Sequence, residues 1–132
     1  MPFQLVIVTP ERTVVDQSVD GVVVPGVEGE FGVLPEHEPF LSALDSGVVR
    51  YRAEGQEHLI AMSTGFAEVT GNHMTLLART AEPANEIDRS RAEAARDRAA
   101  EGLGRPGLPQ EETARLEAAS RRAAARLRAS LV

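Results

Sequence analysis

Side chains able to do covalent or metal chemistry are few and scattered in this chain. The three histidines, His37, His58 and His73, fall in different predicted strands or loops. None shows the H-x-H or HExxH spacing that sets two imidazoles on one metal. A β-sandwich can gather a metal site from separate strands, but His37-Glu38 is thinner than such sites use, so solvated histidines are the expectation. The chain has no Cys, which excludes a disulfide framework, a thiolate zinc site and a Cys nucleophile. Gly26-Val27-Glu28-Gly29-Glu30-Phe31-Gly32 is glycine-rich. Its spacing is GxxGxxG, it carries two carboxylates and no helix follows, so it reads as a β-turn and not as a phosphate cradle. Ser63-Thr64-Gly65 lacks the G-x-S-x-G pattern of a nucleophile elbow. No catalytic constellation emerges.

The arginines are more informative. Every one of the 14 basic residues is Arg. Arg91 and Arg98 stand seven apart, near one face of a predicted helix, and Arg122 and Arg126 are i, i+4 on another. In an antiparallel helix pair these four could converge on one anion, and guanidinium forks match phosphate geometry while staying charged at any physiological pH. The alternative is an ordinary solvated face carrying Glu–Arg pairs, which spacing alone favours.

The elements that must position these residues divide the chain in two. Of its 132 residues, 1–83 hold 12 acids against 4 bases, and 84–132 hold 8 acids against 10 bases, so the overall charge of −6 joins an acidic part to a mildly basic one. The overall charge argues against nucleic acid as a partner. All five aromatics (Phe3, Phe31, Phe40, Tyr51 and Phe66) lie in the first part. There, short runs of branched apolar residues alternate with turn residues: Phe3–Thr9, Thr13–Val19, Gly21–Pro25, Phe31–Leu34, Leu41–Ala43, Gly47–Ala53, Glu57–Ser63, Gly65–Val69 and His73–Ala78. Glu54-Gly55 and Gly71-Asn72 suit hairpin turns. Strands so spaced, with no helix between them, predict an antiparallel β-sandwich or flattened barrel.

The second part predicts a helical hairpin. Ala occurs 13 times after Pro83. Glu86–Glu101 reads as one helix, Gly102–Pro109 breaks it with prolines and glycines, and Gln110–Leu131 resumes as a second. The fold class is therefore α+β: an N-terminal antiparallel β-sandwich over 1–83 and a C-terminal antiparallel α-helical hairpin over 84–132. Leu116, Ala119, Ala123 and Leu127 share a face of the second helix. Alanine buries little area, so at roughly 25 cal/mol per Å² this seam is weak, and such an element can detach without unfolding. No apolar run approaches the ~20 residues of a membrane span, and Met1–Pro10 has neither the basic flank nor the cleavage site of a secretory signal.

The chain resembles the ε subunit of F-type ATP synthases, of bacterial type. The stretch from Val24-Pro25 through Gly29-Glu30-Phe31-Gly32-Val33-Leu34-Pro35-Glu36-His37-Glu38-Pro39-Phe40-Leu41 is similar to the family's GE-x-G-(I/V)-L-P-x-H-x-P segment. Ser63-Thr64-Gly65-Phe66-Ala67-Glu68-Val69 is similar to its SGGFxEV, and Ile87-Asp88-Arg89-Ser90-Arg91-Ala92 to its (I/L)-D-x-x-R-A motif. The opening Val6–Pro10 and the late Leu76-Leu77-Ala78 with Ala81-Glu82 agree as well, so the resemblance runs in order along nearly the whole chain.

The resemblance implies a ten-stranded sandwich and a two-helix regulatory domain in the rotating central stalk of a proton-translocating motor. The partners implied are the γ subunit, the ring of c subunits and, when the hairpin extends, the catalytic α/β hexamer. No cofactor is required and the subunit is not itself an enzyme; ATP is implied as a regulatory ligand that stabilises the folded hairpin. The location implied is peripheral, on the cytoplasmic side of the inner membrane, with membrane association only through the complex. By position, Glu82, Asp88, Arg91, Ala92, Arg98, Arg122 and Arg126 match the ATP-binding set, and Glu30 and His37 match the loops facing the c ring. Arg115, Arg121, Arg122, Arg126 and Arg128 would make the inhibitory contact with the β subunit. Two departures stand out: Glu36 replaces the family's usual Gly, and Gly102–Pro109 adds Pro and Gly to the usual connection. The rival readings are a free-standing β-sandwich binding module with a helical partner-docking tail, and a cupin-like metalloprotein.

Overall fold

The computed structural model describes residues 2–35 and 38–130. Ten strands come first: β1 (Phe3–Val8), β2 (Thr13–Val19), β3 (Gly21–Gly26), β4 (Gly29–Val33), β5 (Phe40–Leu44), β6 (Gly47–Ala53), β7 (Gln56–Met62), β8 (Gly65–Thr70), β9 (His73–Ala78) and β10 (Ala81–Pro83). A 3-10 turn at Ala84–Glu86 leads into α1 (Arg89–Leu103) and α2 (Gln110–Ala129). The strands hydrogen-bond in the order β10-β7-β6-β3-β5-β8-β9-β1-β2, with β4 paired to β3. All described pairings are antiparallel except β1 with β9. The sheet folds over until β2 lies against β6 and β10, which makes the flattened sandwich the alternation predicts.

Alternation explains the core. Phe3, Leu5 and Ile7 of β1 point inward while Gln4, Val6 and Val8 stay partly exposed. They meet Val22, Val24, Val33, Leu44, Val49, Met62, Met74 and Leu76 in one continuous apolar cluster. The β6–β7 connection is the two-residue turn Glu54-Gly55, with φ of 52° and 76° and Ala53 opposite Gln56. Positive φ at both central residues is what a right-twisted hairpin requires.

The hairpin folds down on the sandwich. Ala125 and Ala129 of α2 pack on Val48, Leu59 and Ala61 of β6 and β7 in a second cluster fringed by Ala84 and Ile87. Strands β6 and β7 are therefore covered on both faces. Between the helices, Leu116 fills the space over Gly102, where an added Cβ would stand 2.8 Å from Leu116 Cδ1. The seam proposed from Leu116, Ala119, Ala123 and Leu127 is thus half of the story: three of these four are buried, but a separate alanine stripe faces the sheet.

Two boundaries differ from the sequence reading. The strand β10 was absent from it, because three residues ending in Pro83 carry too little pattern to register; its Ala81 and Glu82 nonetheless pair with Met62 and Ala61. The first helix starts at Arg89 and not at Glu86. Ile87 is extended (φ −79°, ψ 125°), and Asp88 caps the helix by accepting a hydrogen bond from the Arg91 N–H at 3.1 Å.

At Gly65 the backbone of β8 passes so close to β9 that any Cβ would overlap the Leu77 carbonyl oxygen and stand 3.0 Å from Ala78 Cα. Gly65→Ala is expected to destabilise the sandwich by about 1–3 kcal/mol, since neither strand can yield without losing register. Thermal unfolding of the two proteins measures this; an unchanged midpoint would contradict the close approach.

Candidate functional site

A cleft of about 570 Å³ opens between the hairpin and the edge of the sandwich. Its floor is built by the corner where β7 meets β8 and β9 meets β10. There Ser63 Oγ accepts the Thr80 N–H at 2.8 Å and lies 2.8 Å from Thr80 Oγ1, while the Ser63 N–H donates to Thr80 O at 3.0 Å. Glu82, brought in by the short β10, completes that floor. The walls are one stripe from each helix. Arg98, Gly102 and Arg105 follow the 3.6-residue period along α1 into the link, and Arg115, Ala119, Arg122 and Arg126 do so along α2. Alanine and glycine between the arginines keep the walls low enough to leave room.

Five arginines face two carboxylates in this cleft, so its field is positive. At the floor, Glu82 Oε1 lies 2.9 Å from Arg126 Nε. That N–H is off the line to the carboxylate, and Arg126 Nε is a buried donor without a hydrogen-bond partner among the described residues. At the far end Glu112 is hydrogen-bonded by Arg115. That hydrogen bond, followed by the charges of Arg115 and Arg105, holds the Glu112 carboxyl below the usual glutamate range. Between these ends, no ion pair engages Arg98 or Arg122 among the described residues. Two unpaired guanidinium groups and one orphaned buried N–H facing one cavity can bind a multiply charged anion, and phosphate oxygens are the best geometric match. No group of three or more His, Asp or Glu that could hold a metal ion is assembled among the described residues.

Of the ATP-binding set matched by position, Glu82, Arg98, Arg122 and Arg126 are brought together here. Asp88, Arg91 and Ala92 are not in the lining. Asp88 is the α1 cap, Arg91 is exposed about two turns before Arg98, and Ala92 is fully buried. Glu30 sits on the exposed β3–β4 hairpin, ion-paired to Arg50 at 3.1 Å, with Val27 and Leu34 exposed nearby. His37 lies outside the described residues. Of the five arginines assigned to inhibition, Arg115 pairs with Glu112 of its own helix, Arg121 with Asp45 at 3.6 Å and Arg126 with Glu82 at 2.9 Å, while Arg122 lines the cleft and Arg128 lies beside Gly47. Sequence reasoning misses Arg105, because the prolines and glycines of Gly102–Pro109 read as a helix breaker. The signal was present, since Arg91, Arg98 and Arg105 continue one spacing of seven.

Comparison with known proteins bears on both parts of the chain. A family model described as ATP synthase, Delta/Epsilon chain, beta-sandwich domain matches residues 2–84, and one described as the long alpha-helix domain of that chain matches residues 85–130. The ATP synthase epsilon chain of Nitratidesulfovibrio vulgaris (strain DP4) is 50% identical over 126 residues, covering 96% of this chain and 93% of that one. The ATP synthase epsilon chain of Carboxydothermus hydrogenoformans is 52% identical over 103 residues, or 78% and 77% of the two chains. Among solved structures, a chain of the Euglena gracilis mitochondrial ATP synthase (OSCP/F1/c-ring, rotational state 1) has the same fold, with a TM-score of 0.84 and 24% identity over 99% of this chain and 82% of that one. A chain of the Tetrahymena thermophila mitochondrial ATP synthase central stalk and c-ring gives 0.66 and 12%, over 96% and 95%.

The Glu112 carboxyl is expected to stay ionised to lower pH than an ordinary glutamate. The stabilisation it gives α2 is then present above the unfolded-state pKa and lost only as pH falls through the depressed folded value. A carbon-detected side-chain titration checks this, and Arg115→Gln is expected to return Glu112 to the ordinary range.

Proposed function

The chain belongs to the ATP synthase delta/epsilon family, and on that premise we propose that it is the epsilon-type rotor subunit joining the c ring and γ to the catalytic head. In this reading it performs no catalysis itself. It acts peripherally, on the cytoplasmic side of the inner membrane; no helix of the described chain is long and apolar enough to cross a membrane.

Two surfaces of the sandwich support the rotor role. On the outer face, Val8, Leu77, Phe66 and Ala43 stand side by side across β1, β9, β8 and β5. Phe66 and Leu77 are more than half exposed, as is Leu41 two residues along β5. A contiguous apolar strip of this kind on a soluble face suits a permanent partner, and γ is the partner we assign to it. The β3–β4 hairpin with Glu30, Val27 and Leu34 is assigned to the c ring, as His37 is by its match to the family's motif. Residues 84–132 form the regulatory arm.

The observation that carries the regulatory reading is the manner in which the arm is held. Its apolar contact with the sheet is made by alanines, and two of its inhibitory arginines, Arg121 and Arg126, are paired with sandwich carboxylates in the folded-down form. An arm that must choose between two positions needs states separated by only a few kcal/mol. Extended, the arm releases Arg121 and Arg126 from the sandwich and presents them with Arg115, Arg122 and Arg128 to an acidic surface of the β subunit, blocking hydrolysis. Folded, it closes the arginine cleft. ATP bound there neutralises Arg98, Arg122 and Arg126, bridges both helices to the sandwich floor and shifts the population toward the folded form. Asp88, Arg91 and Ala92 contribute by starting α1 at the height that sets Arg98 in the wall.

Titration of the isolated full-length chain with ATP is expected to show saturable binding, weakened about tenfold or more by Arg126→Ala or Arg122→Ala. Absence of binding up to about millimolar ATP would remove the ligand reading. In the assembled enzyme, deleting residues 84–132 is expected to raise ATP hydrolysis, and unchanged hydrolysis would mean that the hairpin does not regulate it.

A further inference from the structure

Strands β5 and β6 are joined by a tight turn at Asp45-Ser46, and the stripe of α2 that faces the sheet runs directly over it. That stripe reads Arg121, Ala125, Arg128 and Ala129, at offsets 0, 4, 7 and 8. Its alanines sit on the apolar face of β6 and β7, and its arginines straddle the turn. Arg121 Nε lies 3.6 Å from Asp45 Oδ1, and a Cβ placed on Gly47 would stand 3.9 Å from Arg128 Nη2.

The turn is rigid and its carboxylate is aimed. Asp45 donates its backbone N–H to Pro25 O at 2.8 Å, which ties the turn to β3, and Asp45 Oδ1 accepts the Ser46 N–H at 2.7 Å. Gly47 is buried against Pro25, and a Cβ there would stand 2.7 Å from Pro25 Cβ, so the chain just past the turn cannot swell away from β3. Asp45 therefore loses little freedom on meeting Arg121, which lowers its share of the entropic cost of a surface ion pair.

We propose that the Asp45–Gly47 turn is a docking seat for α2: a fixed internal anion that holds Arg121, with Arg128 laid over Gly47, and so sets how readily the arm leaves the sandwich. Arg121 is also one of the arginines given to the extended arm's acidic partner. One guanidinium cannot serve both contacts, so Asp45 competes with that partner for the same group. The seat thus adds a salt-sensitive element, separate from the arginine cleft, to the equilibrium of the arm. It rests on the reading that the arm detaches.

The absence of native Cys allows a clean test on the full chain without ligand. Spin labels on cysteines introduced by Glu57→Cys on β7 and Ala114→Cys on α2, both exposed positions, report folded and detached arms as separate distances. Asp45→Asn keeps the acceptor for Ser46 and removes only the charge. It and Arg121→Gln are each expected to raise the detached-to-folded ratio about two- to fivefold and to flatten its rise between about 0.1 and 0.5 M salt. The double variant Asp45→Asn with Arg121→Gln is expected to raise the ratio no further than either single variant, because both remove the same contact. Ala125→Glu, which places a charge in the apolar contact, serves as the control. If it opens the arm while Asp45→Asn and Arg121→Gln do not, or if the effects of those two variants simply add in the double variant, the seat is overturned and the mobile arm stands. If no variant, Ala125→Glu included, changes the ratio, the mobile-arm reading falls as well.

Discussion

The arrangement depends on the contact of Ala125 and Ala129 with Val48, Leu59 and Ala61. Side chains this small let the axis of α2 come close to the sheet, and that closeness brings Arg126 to Glu82 and Arg121 to Asp45. A leucine at either alanine would lift the helix and pull both arginines out of reach. The same smallness limits the strength of the contact, because buried apolar area sets the hydrophobic gain. Proximity and weakness are thus one property, and the detachment we propose for the arm needs both.

Charge is distributed to suit that contact. An arginine-only set of cations cannot be neutralised by deprotonation, so each guanidinium needs an anion or water in every position of the arm. In the folded form Glu82, Asp45 and Glu112 serve three of them, and Arg98 and Arg122 remain unmatched over the cleft. The acidic sandwich is consequently more than a solubilising surface; two of its carboxylates face the arm. The orphaned Arg126 Nε, sealed from solvent and off-line from Glu82, marks the point where the intramolecular solution is least complete.

Much of the fold was legible in the sequence because its signals are local. Alternation in Phe3-Gln4-Leu5-Val6-Ile7 and the turn at Glu54-Gly55 state their geometry within a few residues. The parts that escaped are those fixed by tertiary partners. Ala81–Pro83 becomes a strand only because β7 offers an edge to it. The docking face of the sheet could have been found, since Leu59-Ile60-Ala61-Met62 is a run without alternation and such strands are covered on both sides. Of the candidate site, the i, i+4 arginines and the resemblance together located four lining residues. Arg105, Ser63 and Thr80 depend on how the corners of the sheet and the hairpin link fold, which no short window encodes.

The tenth strand has a mechanical meaning. Tension applied to the arm of a rotating part reaches the sandwich through Ala81–Pro83, the sheet's terminal strand, held to β7 by a three-residue register. Pro83 brings no N–H to that ladder. Just beyond it, the ion pair of Arg12 with Glu86, at 2.7 Å, ties the 3-10 turn back to the β1–β2 corner. A pull along the arm therefore meets this surface tie first and a short peelable edge second, before any inner strand is stressed. The fold places its mechanical fuse at the hinge, where slack can be taken up and recovered while the barrel keeps its register.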